Sequence, residues 1–190
     1  MTTLRSGSTR TARLAASLAL VLGLASMAAA CAPTPPVDAV AIRCEPLTTR
    51  VTTTPAITFD PKPLDLSSVR RGSSAACVDG TGRGISSVRF DGLDLHFPET
   101  SCLPEPGTSG FGTASVSWSD GSTSLISVRA VYDGPFSGTL ELAVLGGTFS
   151  RYEGTGEFTA SPTAGSCYED GITRAVVTAS GVGLTSPTDD

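Results

Sequence analysis

Beyond residue 43, apolar and polar side chains alternate with a period of two over most of the chain. This period is typical of strands that bury one face. The clearest case flanks Asp120-Gly121, a residue pair that favours a hairpin turn because it tolerates positive φ. We therefore predict a β-hairpin centred on this pair. The residues expected on its apolar face are Ala114, Val116 and Trp118 before the turn, and Ile126, Val128, Ala130 and Tyr132 after it.

Similar segments recur along the chain, and five Asp-Gly pairs supply turn signals among them. No stretch after the N-terminal segment combines a period of 3.6 with helix caps. The predicted fold class is all-β, an antiparallel β-sandwich or small β-barrel of about 7–9 strands. We assign it to a single domain over residues 44–184. The further predicted strands are 51–59, 85–90, 93–97, 139–144, 154–160 and 175–180.

The N-terminal segment has a different pattern. Residues 1–13 contain three arginines and no acid, residues 14–27 are mostly apolar, and three alanines then precede Cys31. This order is typical of a secretory signal peptide, and the apolar run is short for a permanent membrane span. We predict a signal peptide over 1–30, a Pro-rich tether over 31–43 and a disordered acidic tail over 185–190.

Cys31 raises two alternatives for the exported chain. Its position after small residues resembles a bacterial lipoprotein signal, in which this cysteine is acylated and anchors the protein to the membrane. Such signals usually have leucine three residues earlier, where this chain has Ala28. Ordinary cleavage at the same bond would instead yield a secreted protein with a free thiol. We favour lipidation of Cys31, with plain secretion as the alternative.

The remaining cysteines are Cys44, Cys77, Cys102 and Cys167, an even number in a chain expected in an oxidising compartment. They allow three pairings. We favour Cys44–Cys77 with Cys102–Cys167, because each pair joins segments that border predicted strands. No C-x-x-C spacing is present, which argues against thiol oxidoreductase activity.

Charge and composition exclude several functions. Without Arg5, Arg10 and Arg13 of the signal peptide, 10 of the 13 basic residues remain against 18 acidic ones, a formal charge of −8. Such a chain is not expected to bind nucleic acid, which requires clustered Lys and Arg. The chain also lacks asparagine and glutamine and has one tryptophan, which disfavours a sugar-binding glycosidase.

Catalytic and metal-binding groups are few. His96 is the only histidine, it alternates outward between Leu95 and Phe97, and no G-x-S-x-G motif accompanies it. One histidine is also too few for a typical zinc site. Asp91 with Asp94, or Glu169 with Asp170, could ligate calcium, but aspartate is common in turns. We predict no catalytic residue, no metal, no cofactor and no enzymatic activity.

Several motifs are distributed over most of the mature chain. They are Cys44, the segment Ile57-Thr-Phe-Asp-Pro61, Cys77, the segment Gly112-Thr-Ala-Ser-Val-Ser-Trp118 with its following Ser-Asp-Gly121, the segment Gly154-Thr-Gly-Glu-Phe158, and Cys167. In these motifs the chain resembles uncharacterised secreted β-rich proteins of actinobacteria. The resemblance implies an all-β fold with disulfides, without implying an activity.

Three hypotheses for function follow. The first is a non-enzymatic exported β-domain that serves as an interaction or structural module for an unknown envelope or extracellular partner. The second is a small-ligand-binding β-barrel, which predicts a cavity reached from one end with Trp118 or a tyrosine in its wall. The third is a hydrolase that uses His96 or paired carboxylates, and it requires these groups to converge in a cleft.

Overall fold

The computed structural model describes residues 40–69, 72 and 74–187. The predicted signal peptide, Cys31 and residues 32–39 of the tether lie outside the described residues, as do Arg70, Arg71 and the end of the tail. Within the described ranges, no helix has the length and apolar character needed to cross a membrane. Ten strands are present: β1 (Val40–Glu45), β2 (Leu47–Ile57), β3 (Lys62–Ser68), β4 (Ser74–Asp79), β5 (Ser87–Thr100), β6 (Ser109–Trp118), β7 (Thr123–Gly134), β8 (Ser137–Gly147), β9 (Glu153–Ala164) and β10 (Ile172–Thr185).

The strands form one antiparallel sheet that closes on itself. Strands β1 and β2 follow one another in the same direction on either side of Pro46, and β10 pairs with both. Strands β3 and β4 are likewise successive halves that both pair with β5. If β1 and β2 are counted as one strand, and β3 and β4 as another, the sheet has eight strands. Each pairs with its neighbours in sequence, and β10 closes the ring by pairing with β1 and β2. The all-β prediction is confirmed, and ring closure corresponds to its barrel alternative.

Alternation along the strands places one set of side chains inside the ring. On β6 and β7, Ala114 lies opposite Ile126, and both are buried. The hairpin predicted at Asp120-Gly121 is present, and Gly121 has φ 84°. At its base, the Trp118 N–H donates to the Ser122 carbonyl over 2.8 Å. Gly121 thus provides the positive φ that lets two alternating strands fold back on each other.

One Asp-Gly pair does not mark a turn. Asp91-Gly92 lies inside β5, where the pairing with β6 shifts by one residue between Phe90 and Gly92. The segments predicted as separate strands over 85–90 and 93–97 therefore belong to one bulged strand. The Asp91 carboxylate accepts hydrogen bonds from Arg89 Nε at 3.0 Å and from the Ser117 hydroxyl. These contacts hold the bulge of β5 against β6. A hairpin turn at Asp91-Gly92 would instead have ended the strand.

Both disulfides match the favoured pairing. Cys44 and Cys77 are register partners on the neighbouring strands β1 and β4. Their bond therefore crosslinks these two short strands. Cys102 and Cys167 join the β5–β6 loop to the β9–β10 loop. The two bonds support an oxidising, exported environment.

Candidate functional site

The interior of the ring contains an apolar cavity of about 130 Å³. Aliphatic and aromatic side chains from all eight strands of the ring line it, with β1 and β2 counted as one strand and β3 and β4 as another. A few side chains with hydroxyl groups complete the wall. None of the described residues in its wall carries a charge. A cavity of this size and character in a protein core accommodates an apolar molecule about as large as benzene.

Small inward-facing residues explain why the ring is not filled. An eight-stranded ring has an interior that side chains can just fill. Five alanines line the cavity of this ring, and each leaves room that a larger side chain would occupy. The Phe97 and Phe158 rings also lie directly over Gly110 and Gly138, where a Cβ atom would overlap them. The alanines are Ala114, Ala130, Ala160, Ala175 and Ala179.

The cavity reaches the surface at one end of the ring, which we call the mouth. This end carries the β2–β3, β5–β6, β7–β8 and β9–β10 loops. Pro135 and Pro162 are exposed there, and they line the same cavity as the buried Phe97 and Phe158. An apolar molecule could therefore enter between the β7–β8 turn and the end of β9.

The opposite end of the ring, the closed end, is packed with side chains. The Trp118 and Phe149 rings meet edge to face with centroids 5.1 Å apart, and both residues are buried. Trp118 Nε1 donates to the Ser124 hydroxyl over 2.8 Å, so the indole is fully satisfied. Val88 and Leu184 belong to the same buried cluster. Trp118 therefore seals the closed end and lies outside the wall of the cavity.

The loops at the mouth are held together on one side. Besides the disulfide to Cys167, Cys102 donates its main-chain N–H to the Thr58 carbonyl over 2.7 Å. The Phe59 and Tyr168 rings meet with centroids 5.1 Å apart, although Tyr168 is 89 % exposed. Three of the four mouth loops thus form one cross-linked unit beside the opening.

Most hydroxyl groups in the cavity wall already have partners. Thr53 Oγ1 donates to the Ile172 carbonyl at 2.7 Å, and the Ser101 hydroxyl accepts from the Leu103 N–H at 3.2 Å. Among the threonine and serine side chains of the wall, Thr49 is the exception. Its hydroxyl is buried, and no hydrogen-bond partner exists for it among the described residues. This oxygen has almost no accessible surface, so the hydroxyl is enclosed by the wall and does not face the open part of the cavity.

Tyr132 supplies the tyrosine that the ligand-binding hypothesis expects in the wall. Its ring contacts Phe97 and Phe158 with centroid distances of 5.5 Å and 5.4 Å. Burial raises the pKa of Tyr132 to about 12, because the apolar surroundings disfavour the phenolate. The side chain is consequently neutral over the physiological range.

His96 lies on the outer face of β5, as its alternation indicates. Its Nδ1 is 2.7 Å from Asp65 Oδ1, and both side chains are more than half exposed. In the register of the sheet, His96 lies opposite Phe111, which in turn lies opposite Arg129. A histidine and an acid do meet here, but they do so on an open surface and outside the cavity.

The acidic pairs considered as calcium ligands do not form a cluster among the described residues. Asp91 is occupied by Arg89 and Ser117, and the Glu169 carboxylate is 3.5 Å from the Ser166 hydroxyl. In the described part of the chain, no group of three or more His, Cys, Asp or Glu side chains is arranged to hold a metal ion.

A second concavity, of about 640 Å³, lies on the outer face of β7 to β10. Its charged side chains have opposite signs, and Arg129 is paired with Glu141 at 2.9 Å. An exposed pair of this kind contributes little specific binding energy. The interior cavity is thus the better candidate for a ligand site.

Thr49 has little in the sequence to distinguish it from its neighbours. The segment Thr48–Thr54 contains hydroxyls on both faces, so alternation alone does not distinguish an inward threonine from an outward one. Its only signal is the shared parity of Thr49 with Leu47 and Val51, both of which line the cavity. That parity identifies the face, while the lack of a partner depends on the three-dimensional packing.

The fold and site define the chain as a closed antiparallel β-ring with an apolar interior. Comparison with protein-family models, with curated proteins and with solved structures found no significant match.

Proposed function

We propose that this chain is an exported, non-enzymatic β-domain that binds a small apolar ligand inside the ring. The observation that supports it is the cavity of about 130 Å³ with an apolar wall that opens at the mouth. Burial of apolar surface provides the driving force, and a preformed cavity lowers the ordering cost of binding. Among the hypotheses from the sequence, the small-ligand barrel is therefore favoured.

The proposal includes a tether at the cell envelope through acylated Cys31. Strand β1 begins at Val40, which pairs with Thr185 at the closed end of the ring. A tether that joins the domain at the closed end does not obstruct the mouth. Intact mass of the native protein tests this part, since a diacylglyceryl group on Cys31 supports the anchor and an unmodified chain in the medium contradicts it.

Toluene is a suitable probe for the cavity because it is uncharged, apolar and close in size to the space available. We expect toluene to raise the Tm of the purified, oxidised protein in a concentration-dependent manner, as a ligand of the native state must. Absence of any shift at aqueous saturation would contradict the proposal.

A matched pair of variants tests whether toluene binds inside the ring. Ala160 faces inward on β9 and lines the cavity, whereas its neighbour Thr159 is exposed. Ala160→Phe should abolish the toluene-dependent shift, and Thr159→Phe should preserve it. If Ala160→Phe fails to fold by circular dichroism, Ala179→Leu makes the same test on β10. Binding that persists in a folded, cavity-filled variant would place the ligand elsewhere.

A second candidate function, an interaction module, is favoured by exposed apolar side chains beside the mouth. Leu103 and Tyr168 are 63 % and 89 % exposed, and each follows a cysteine of the Cys102–Cys167 bond. A photo-crosslinker at position 168 should capture a defined envelope protein, while one at the exposed position 159 should not. Equal capture at both positions would argue against a specific partner.

A further inference from the structure

The mouth of the ring carries an excess of negative charge. Its four loops, together with the two strand residues next to each of them, contain exposed carboxylates from every loop region. The described basic residue within the same limits is Lys62, and Arg174 lies one residue beyond them. The carboxylates are those of Asp60, Glu99, Glu105, Asp133, Glu169 and Asp170.

This negative charge is not neutralised by neighbouring side chains. Among the described residues, the acids that form ion pairs lie elsewhere, as in Arg83–Asp120 and Arg129–Glu141. Asp133 accepts only from the hydroxyl of Ser137, over 2.6 Å, and this contact leaves its charge in place. A concave opening with charges of one sign concentrates the electric field and attracts ions of the opposite sign. The mouth is therefore expected to attract cations and to repel anions.

An exposed aromatic ring lies beside two of these carboxylates. Tyr168 directly precedes Glu169 and Asp170, is 89 % exposed, and meets Phe59 edge to face. The face of an aromatic ring attracts a cation, particularly an ammonium group of a ligand. In the described part of the chain, no arginine or lysine lies over the ring of Tyr168. This face is thus available to a cation from outside the domain.

The interior of the ring imposes the opposite requirement. No described residue in the cavity wall is charged, so nothing there could neutralise an ammonium or a carboxylate group. Transfer of an unpaired ion from water into such surroundings is strongly unfavourable. A charged ligand can therefore occupy the cavity only with its apolar part, and its charged group must remain at the mouth.

We propose that the ligand is a cationic amphiphile, with its apolar chain inside the ring and its ammonium group among the carboxylates of the mouth. This inference rests on the proposed function and specifies its ligand class. The apolar chain would contact the aliphatic and aromatic wall, while Tyr168, Glu169 and Asp170 would face the ammonium group. The same carboxylates would repel an anionic amphiphile of equal chain length.

Hexylammonium, 1-hexanol and hexanoate form a probe series with the same alkyl chain and a positive, a neutral or a negative head group. Calorimetric titration of the oxidised protein at low ionic strength gives a Kd for each. We expect hexylammonium to bind about threefold more tightly than hexanol and at least about tenfold more tightly than hexanoate. The three affinities should converge at about 1 M salt, where the screening length falls to about 3 Å. Hexanoate binding as tight as that of hexylammonium would overturn the proposal.

A matched pair of variants tests whether the charge acts at the mouth. Glu169→Gln/Asp170→Asn should weaken hexylammonium about threefold and leave hexanol unchanged, because only the charged head group loses its partners. Glu153→Gln/Glu157→Gln removes the same charge from exposed positions on β9 and should change neither affinity. If the mouth variant fails to fold by circular dichroism, Asp60→Asn/Glu105→Gln makes the same test on the other loops. Equal weakening by the mouth variant and the control would mean that net charge is responsible, and would overturn the proposal.

The outcomes separate this inference from the proposed function. If neither toluene nor any hexyl probe binds the wild-type protein, both fail together. If hexanol binds as tightly as hexylammonium at low ionic strength, the cavity is a ligand site and the cationic assignment is wrong. Ala160→Phe should abolish hexylammonium binding while Thr159→Phe preserves it. Hexylammonium binding that persists in folded Ala160→Phe would place the cation on the surface alone and overturn the proposal.

Discussion

Asp79 illustrates how a single half-buried carboxylate organises a turn in this domain. It accepts hydrogen bonds from the Thr81 N–H at 2.8 Å, the Thr81 hydroxyl at 2.6 Å and the Ile85 N–H at 3.0 Å. The Thr81 hydroxyl is the largest influence that lowers the pKa of Asp79, from its ordinary 3.8 to about 2. The carboxylate thereby anchors the turn that brings Ile85 into the core.

Asp79→Asn should reduce stability at pH 7, because the amide binds these donors less strongly than the carboxylate. A lowered folded-state pKa contributes stability that is present above pH 3.8 and is lost as the pH falls through about 2. The difference in free energy of unfolding between the variant and the wild type should therefore shrink as the pH falls from 3.8 to about 2. Urea midpoints at pH 7 and pH 2 measure it, with Asp60→Asn as the control. A difference that stays constant with pH would contradict the assignment.

Gly112 marks a close approach of β6 to β5. A Cβ atom at this position would overlap the main-chain carbonyl oxygen of Asp94. We expect Gly112→Ala to lower the free energy of unfolding by roughly 1–3 kcal/mol, because the strands must separate to admit the methyl group. Gly146→Ala is the control, since nothing lies within 4 Å of its added Cβ. Similar urea midpoints for the two variants would refute the close approach.

At the level of loops and strands, the Cys102–Cys167 bond is the main constraint on the mouth. It closes a sequence separation of 65 residues, compared with 33 for Cys44–Cys77. The double variant Cys102→Ala/Cys167→Ala should lose about 4 kcal/mol of stability, mainly because the unfolded chain regains freedom. Its loops should also become more susceptible to limited proteolysis between residues 101 and 108, and the same assay on Cys44→Ala/Cys77→Ala provides the comparison. Unchanged proteolysis would mean that the bond does not restrain the mouth.

Over the whole molecule, closure of the ring couples every strand to two neighbours. Strand β10 returns to β1 and β2, so the described sheet presents no long unpaired edge. We therefore expect one cooperative unfolding transition for the oxidised protein. Trp118 fluorescence reports on the closed end and far-ultraviolet circular dichroism on all strands, and their urea midpoints should coincide. A separate transition for Trp118 would show that the closed end unfolds independently.

Local patterns were sufficient to predict much of this architecture. Period-two alternation identified the strands because each strand buries one face, and the hairpin at Asp120-Gly121 followed from turn chemistry. The favoured disulfide pairing followed from the cysteine positions beside strands. The same signals misplaced a break at Asp91-Gly92, since Asp-Gly occurs at a bulge as well as at a turn.

Only the tertiary structure decided the properties on which function depends. Closure requires contacts such as Thr48 with Thr178, which are 130 residues apart in sequence and have no local signal. The cavity is the difference between the volume the ring encloses and the volume its inward side chains fill, a sum over many strands. The unpartnered state of Thr49 likewise depends on neighbours from distant strands. The sequence alone therefore determined the strands, the turns and the cysteine pairs, because their signals are local. The closure of the ring, the cavity and the unpartnered hydroxyl of Thr49 arise from packing between strands that are distant in sequence.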